Sequence, residues 1–211
     1  MSASVKSSPL GLTVLTLLHY RPLHPYGIQR LLKQWGKEQV VNVGQRAGLY
    51  RTIERLQAGG LIAVRQTERD QQYPERTVYE VTDEGRAVTR EWLEQMLSAP
   101  KAEFPLFPAA LSNMLMLNPD EVAPILEQRA ARLAAQRADL ERPFTEAPTG
   151  LPRITLIENE YLLAVLDAEQ RWLQGVISDL RDGTLTWSPE MLATFQEAGS
   201  GDASRDGRPA P

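Results

Sequence analysis

The 211-residue chain contains no cysteine and only two histidines. Without cysteine there is no disulfide framework, no thiolate metal site and no thiol nucleophile. His19 and His24 cannot complete a metal site alone, since three or four ligands are needed, and no carboxylate set stands beside them. His24, just before Pro25, reads as a capping or packing residue. No glycine-rich phosphate loop, G-x-S-x-G or H-E-x-x-H occurs. Glu158, Glu160, Asp167 and Glu169 are spread as on a solvated helix face, not paired for acid/base work. No catalytic constellation is present, so the chain does not read as an enzyme and neither a cofactor nor a metal is expected. Long apolar runs are also missing. Leu10–Leu18 falls short of the ~20 residues that cross a bilayer, and it lacks a basic flank and a small-residue cleavage pattern. It reads as a core helix of a cytoplasmic protein with no membrane partner.

What the chain does have is an uneven charge. Its net charge is −4, yet residues 1–82 carry 11 Lys+Arg against 6 Asp+Glu, and residues 83–211 carry 12 against 21. A basic front and an acidic back are expected when only the front meets a polyanion.

Start signals divide the front into helices. Ser8-Pro9 and His24-Pro25 each place a capping residue before a proline at the first helical position. The first helix is expected over 9–19. The second carries Ile28, Leu31, Leu32 and Trp35 on one face and stops at Gly36. A third runs from Gln45 to Ala58 and ends at Gly59-Gly60. The period then changes: "LIAVRQT" (61–67) and "RTVYEV" (76–81) are β-branched and aromatic and read as strands. The polar stretch 68–75 between them reads as a hairpin loop. Three helices followed by a hairpin is the winged helix-turn-helix order, with the third helix displayed and the hairpin as wing.

Further helices are expected over 82–98, 119–141 and 153–181. The helix over 119–141 shows Val122, Leu126, Leu133 and Leu140; the last shows Ile154, Ile157, Tyr161, Ala164, Ala168 and Trp172 near heptad spacing. Narrow stripes on two long helices call for pairing with another copy, the alternative being an intrachain helical hairpin packed on the first domain. The expected architecture is therefore mostly α: a winged helix-turn-helix domain (1–82), connecting helices (83–118), an all-α antiparallel helical dimerisation domain (119–198) and a disordered tail (199–211).

"GLYRTIERLQAGGLI" (48–62) carries the functional argument. Leu49, Ile53 and Leu56 form one stripe, while Ala47 and Arg51 lie opposite. A scaffold helix would show acid or apolar residues there. This one shows Arg46, Arg51 and Arg55 beside small Ala47 and Gly48, which allow close approach to a groove. Double-stranded DNA is the expected partner, with Lys33, Gln45, Arg46, Ala47, Gly48, Tyr50, Arg51, Arg55 and the wing residues Arg65, Arg69 and Arg76 as candidate contacts. A helical protein-interaction module that uses the winged helix only as a scaffold is the alternative.

Three stretches together resemble the PadR family of bacterial transcriptional regulators: "PLHPYGIQRLLKQ", "GLYRTIERLQAGGLI" and "PERTVYEVTDEGR". The family's His-Gly-Tyr, Leu-Tyr, Gly-Leu-Ile and Tyr-x-x-Thr-x-x-Gly stand here as His24-Pro25-Tyr26, Leu49-Tyr50, Gly60-Leu61-Ile62 and Tyr79 to Gly85. "EFPLFPAALS" and "YLLAVLDAEQRWL" look like the helical domain of its longer members. The resemblance implies a homodimeric repressor on a palindromic operator, released in some members by a phenolic or lipophilic effector. Ala47 and Gly48 depart from the Gly and Thr or Ser of many members, so the target sequence does not transfer. Trp92, Phe104, Phe107 and Trp172 are the candidates for a small apolar ligand, with core packing as the plainer role of each.

Overall fold

The computed structural model describes residues 5–37, 40–41, 46–70, 73–100, 104–188 and 191. Gln45 and the expected tail at 199–211 lie outside the described residues. The chain forms two compact units, divided between residues 103 and 104.

In the first unit, α1 (Pro9–Tyr20), α2 (Pro25–Gln34) and α3 (Arg46–Ala58) precede a two-stranded antiparallel ribbon of β1 (Ile62–Asp70) and β2 (Tyr73–Val81), then α4 (Asp83–Ser98). The helix starts are local devices. The Ser8 hydroxyl accepts from the Gly11 N–H at 3.1 Å, and His24 Nδ1 accepts from the Gly27 N–H at 2.8 Å, so His24 is a cap as its sequence context predicts. α1 buries Val14, Leu15, Leu17 and Leu18 against Ile28 and Leu32 of α2, Leu49, Ile53 and Leu56 of α3, and Trp92 of α4.

The joints between elements explain the glycines and the threonine of the wing. Gly60 takes the left-handed conformation (φ 73°), and the Leu61 N–H returns to the Leu56 carbonyl at 2.9 Å, which turns the chain from α3 into β1. Tyr79 and Leu23 exchange both backbone hydrogen bonds, so the wing root is tied to the entry of α2. Thr82 donates to the Gly60 carbonyl at 2.7 Å and accepts from the Gly85 N–H at 3.0 Å. Gly85 admits no side chain: a Cβ there would stand 2.0 Å from the Leu61 carbonyl oxygen.

Two expectations are corrected in this unit. The strands run well into the segment read as a polar loop, pairing as far as Asp70 with Tyr73. Backbone pairing does not need apolar side chains, so this polar stretch carries no strand signal in the sequence, and Pro74 is tolerated because each strand of the ribbon has a free edge. Trp35 is 49% exposed. It caps α2 rather than continuing its apolar stripe. Residues 83–118, read as one connecting segment, divide between the units: α4 packs on α1 and buries Trp92, while Phe107 and Met114 pack with the second core.

The second unit contains α5 (Leu106–Leu111), a 3-10 turn (Met114–Met116), α6 (Pro119–Glu146), a 3-10 turn (Arg153–Leu156) and α7 (Ile157–Asp182). Glu121 accepts from the Asn118 N–H at 2.8 Å to start α6. That helix passes through Pro143 to Glu146, beyond the expected end at 141, and Leu140, 1% exposed, anchors its last turns. α6 and α7 form an antiparallel hairpin. Leu126, Leu133 and Leu140 meet Leu166, Leu173 and Leu180 in one core, each set seven residues apart. Ion pairs flank the seam: Arg129–Glu169, Arg137–Asp167 and Arg181–Glu127. Beyond α7, Trp187 is buried and donates its indole N–H to the Leu117 carbonyl at 2.8 Å, clasping the segment before α6.

The stripe read on α6 is thus covered within the same chain. The one read on α7 is not. Ile154, Ile157, Tyr161 and Trp172 are all exposed, Tyr161 at 68%, and Ala164 and Ala168 with them. α7 carries two apolar stripes, and the expected one is the outer.

Candidate nucleic-acid interface

α3 has the two faces its sequence predicts. Leu49, Ile53 and Leu56 are 0–2% exposed. Ala47, Tyr50 and Arg51 lie on the solvent side, with Gly48 half-buried. Nothing approaches within 4 Å of the place a Gly48 side chain would take, so no packing within the unit requires glycine there. The Thr52 hydroxyl is buried and donates to the Gly48 carbonyl at 2.9 Å.

The three arginines of α3 fare differently. Arg51 lies back along its own helix, Nε donating to the Ala47 carbonyl at 3.2 Å. No acid pairs with it among the described residues, so its charge is available at the start of the helix. Arg55 is exposed but committed elsewhere: Nη2 donates to the Ser8 hydroxyl at 2.9 Å. Its guanidinium supports the cap of α1. Arg46 belongs to α3 by its backbone, and Arg69 and Arg76 to the wing, but their side chains lie outside the described residues.

On the wing, Arg65 occupies the extra position of a β-bulge, between the pairs Val64–Tyr79 and Gln66–Val78. It pairs with Glu80 across the ribbon at 3.5 Å, both side chains about half exposed. A shallow depression of about 330 Å³ beside it is lined by Leu23, His24, Gln66 and Val78. Lys33 is exposed near the end of α2.

Two features escaped the sequence reading. Tyr26 is 56% exposed at the first turn of α2 and stacks on the His24 ring, centroids 6.1 Å apart. The signal was present in the His-Pro-Tyr spacing. Glu54 and Tyr79 form the second. Burial, followed by the nearby Glu54 carboxylate and Tyr50, raises the Tyr79 phenol above its ordinary pKa. The wing root therefore holds a neutral phenol, and an acid sits on the flank of the displayed helix.

The four candidate ligand residues do not gather within one unit. Trp92 is 5% exposed in the first core. Phe107 and Trp172 meet edge to face in the second unit, centroids 6.0 Å apart, and Phe104 is 95% exposed. Among the described residues, no helix is long and apolar enough to cross a membrane.

No curated protein sequence matches the chain. Among solved structures, the chain is similar to Bacillus subtilis PadR in complex with operator DNA, at 19% identity and a TM-score of 0.65, covering 81% of this chain and 98% of that one. It is also similar to a PadR-like transcriptional regulator from Bacillus cereus, at 19% identity and 0.58, covering 82% and 99%. Bacillus subtilis PadR in complex with p-coumaric acid matches at 16% and 0.62, covering 83% and 99%. At these identities the likeness is one of fold. The family model described as the transcriptional regulator PadR-like family matches residues 14–91. That segment holds most of α1, all of α2 and α3, the wing and the first half of α4, and over it the chain is similar to the PadR-like family.

Proposed function

We propose that the chain is a DNA-binding transcriptional repressor that works as a homodimer on a palindromic operator and is released by a small apolar ligand. The observation that carries the reading is Arg51. Among the described residues it stands without an acid partner on the solvent face of α3, within the first two turns, beside residues too small to hold DNA away. A recognition helix reads base edges mainly from its N-terminal residues, and an arginine there can pair with guanine through two hydrogen bonds. Lys33, Tyr50 through its hydroxyl, and the arginines of the wing are the proposed phosphate contacts, joined by Tyr26 at the start of α2, where the helix end favours an anion. The operator-DNA complex of the Bacillus subtilis relative supports the DNA reading, and the p-coumaric acid complex supports a ligand. The exposed stripe of α7 supports pairing between copies, since a single chain leaves it in water.

A band-shift titration on the DNA upstream of the protein's own coding region tests the reading. Arg51→Ala should weaken binding there by about tenfold or more, from the ~1–3 kcal/mol of a two-bond contact at ~1.4 kcal/mol per decade. Binding to random duplex should fall much less, and the melting temperature should hold. An unchanged ratio of specific to random affinity would overturn the proposal.

A further inference from the structure

The second unit carries an open groove of about 500 Å³ along one face of α6, its other wall made by α5 and the turn that follows. α6 contributes Val122, Ile125, Arg129, Arg132 and Gln136. These positions are spaced three or four apart, so they share a face. From Val122 to Gln136 the helix rises roughly 20 Å at ~1.5 Å per residue. The groove is therefore long for its volume.

Its two ends differ in chemistry. The chain enters α6 directly from Leu117, so Leu117, Val122 and Ile125 mark an apolar end. Midway, Arg129 is already committed. Its guanidinium lies 3.5 Å over the Phe107 ring and pairs with Glu169 at 2.5 Å. Arg132 and Gln136 close the other end. Among the described residues neither has a hydrogen-bond or ion-pair partner, and no acid stands three or four residues from Arg132, where Gln128, Arg129, Ala135 and Gln136 are found. In a unit where acids outnumber bases, this end of the groove is cationic and unneutralised.

We propose that the groove binds an extended amphiphilic anion, an apolar chain ending in a carboxylate. The carboxylate sits at Arg132, with the Gln136 amide as second donor, and the chain lies over Phe107 toward Ile125 and Leu117. An arginine suits a carboxylate because its planar fork matches the two oxygens. An apolar floor with a few polar groups at one end is the usual make-up of a small-molecule site. As the effector site of a repressor the groove rests on the function proposed above; as a binding site it does not.

Calorimetric titration of the full chain with decanoate and with decyltrimethylammonium, which has the same tail and the opposite charge, tests the proposal. Decanoate should bind at one site per chain and more tightly than the cation. Arg132→Ala should weaken decanoate about tenfold or more and leave the cation unchanged, and Arg132→Lys should recover part of the loss. Ile125→Glu, at a half-exposed position, should abolish decanoate binding with the circular dichroism spectrum preserved. Equal binding of both amphiphiles, or decanoate binding insensitive to Arg132→Ala, overturns the proposal. So does the absence of decanoate binding together with an Ile125→Glu chain that changes oligomeric state in sedimentation, because the groove is then the seat of a second copy. A parallel band shift separates the two claims: decanoate that binds through Arg132 but leaves DNA affinity unchanged upholds the site and removes effector release, whereas DNA binding without any decanoate site removes the groove and leaves the regulator.

Discussion

The two units bury comparable apolar side chains by opposite routes. In the first, α1 is surrounded: α2, α3, α4 and the wing root all pack around it. The joints are single interactions between distant residues, such as Thr82 with Gly60 and Tyr79 with Leu23. In the second, one seam of leucines repeated every seven residues holds two long helices together. Surrounding a central helix fixes the direction of every helix packed on it, which is what a displayed reading helix needs. A two-helix seam leaves the far side of each helix open, and α7 has an apolar stripe there. The first unit offers solvent a cationic helix end; the second offers an apolar face and a groove.

The sharpest way to break this comparison is to cut each core once. Leu56→Ala in α3 and Leu173→Ala in α7 both truncate side chains with 0% exposure, at an expected ~2–5 kcal/mol each. Leu56→Ala should lower specific and random DNA binding together, by loss of folded reading domain. Leu173→Ala should lower the denaturation midpoint of α-helical circular dichroism while the first unit keeps its protection in hydrogen exchange. Equal loss of protection in both units after either change would show that they fold as one.

A pair of charges on the outer stripe comes next. Ile157→Glu with Tyr161→Glu, both on exposed positions of α7, should convert a dimer to a monomer in sedimentation at micromolar concentration without lowering the thermal midpoint of the monomer. A dimer that survives would place the interface elsewhere. A smaller effect is expected at the clasp. Trp187→Phe loses the hydrogen bond to the Leu117 carbonyl, costing about 0.5–1.5 kcal/mol, with a further loss from the smaller buried ring, read by urea denaturation.

The smallest effect is in acid. The hydrogen bond from Arg153 holds the Glu160 carboxyl below its ordinary pKa, and hydrogen bonds from Thr184 do the same for Asp182. Both groups therefore add stability that is complete above the ordinary carboxylate range and is lost as pH falls through their depressed values. Both are exposed and screened. A slight fall in the melting temperature between pH 5 and about pH 3 should be reduced in Glu160→Gln.

Much of the first unit was legible because its signals are local. The caps Ser8, His24 and Thr82 bond three residues ahead, and the buried stripe of α3 repeats at helical spacing, so neighbours in sequence suffice. The hydrogen bond of Arg55 to Ser8 was not legible because the two lie 47 residues apart. The wing was read too short because the polar residues of its outer half leave no apolar alternation to detect. The Phe107–Trp172 contact, and with it the groove, depends on α5 folding back on the hairpin, which no local pattern encodes.

α7 marks the boundary between what the sequence alone determined and what only the tertiary structure decided. By itself the sequence determined where the helices of the first unit start and stop, that α3 has one apolar and one small, cationic face, and that both long helices carry heptad-like stripes, because capping and periodicity are properties of neighbours along the chain. Only the tertiary structure decided which stripe of α7 turns inward. Leu166, Leu173 and Leu180 meet α6 while Ile154, Ile157 and Tyr161 face solvent. Both sets repeat near every seven residues, so periodicity cannot rank them. Leucines on α6 and α7 interlock across the seam, and the choice is made by packing between residues some forty positions apart.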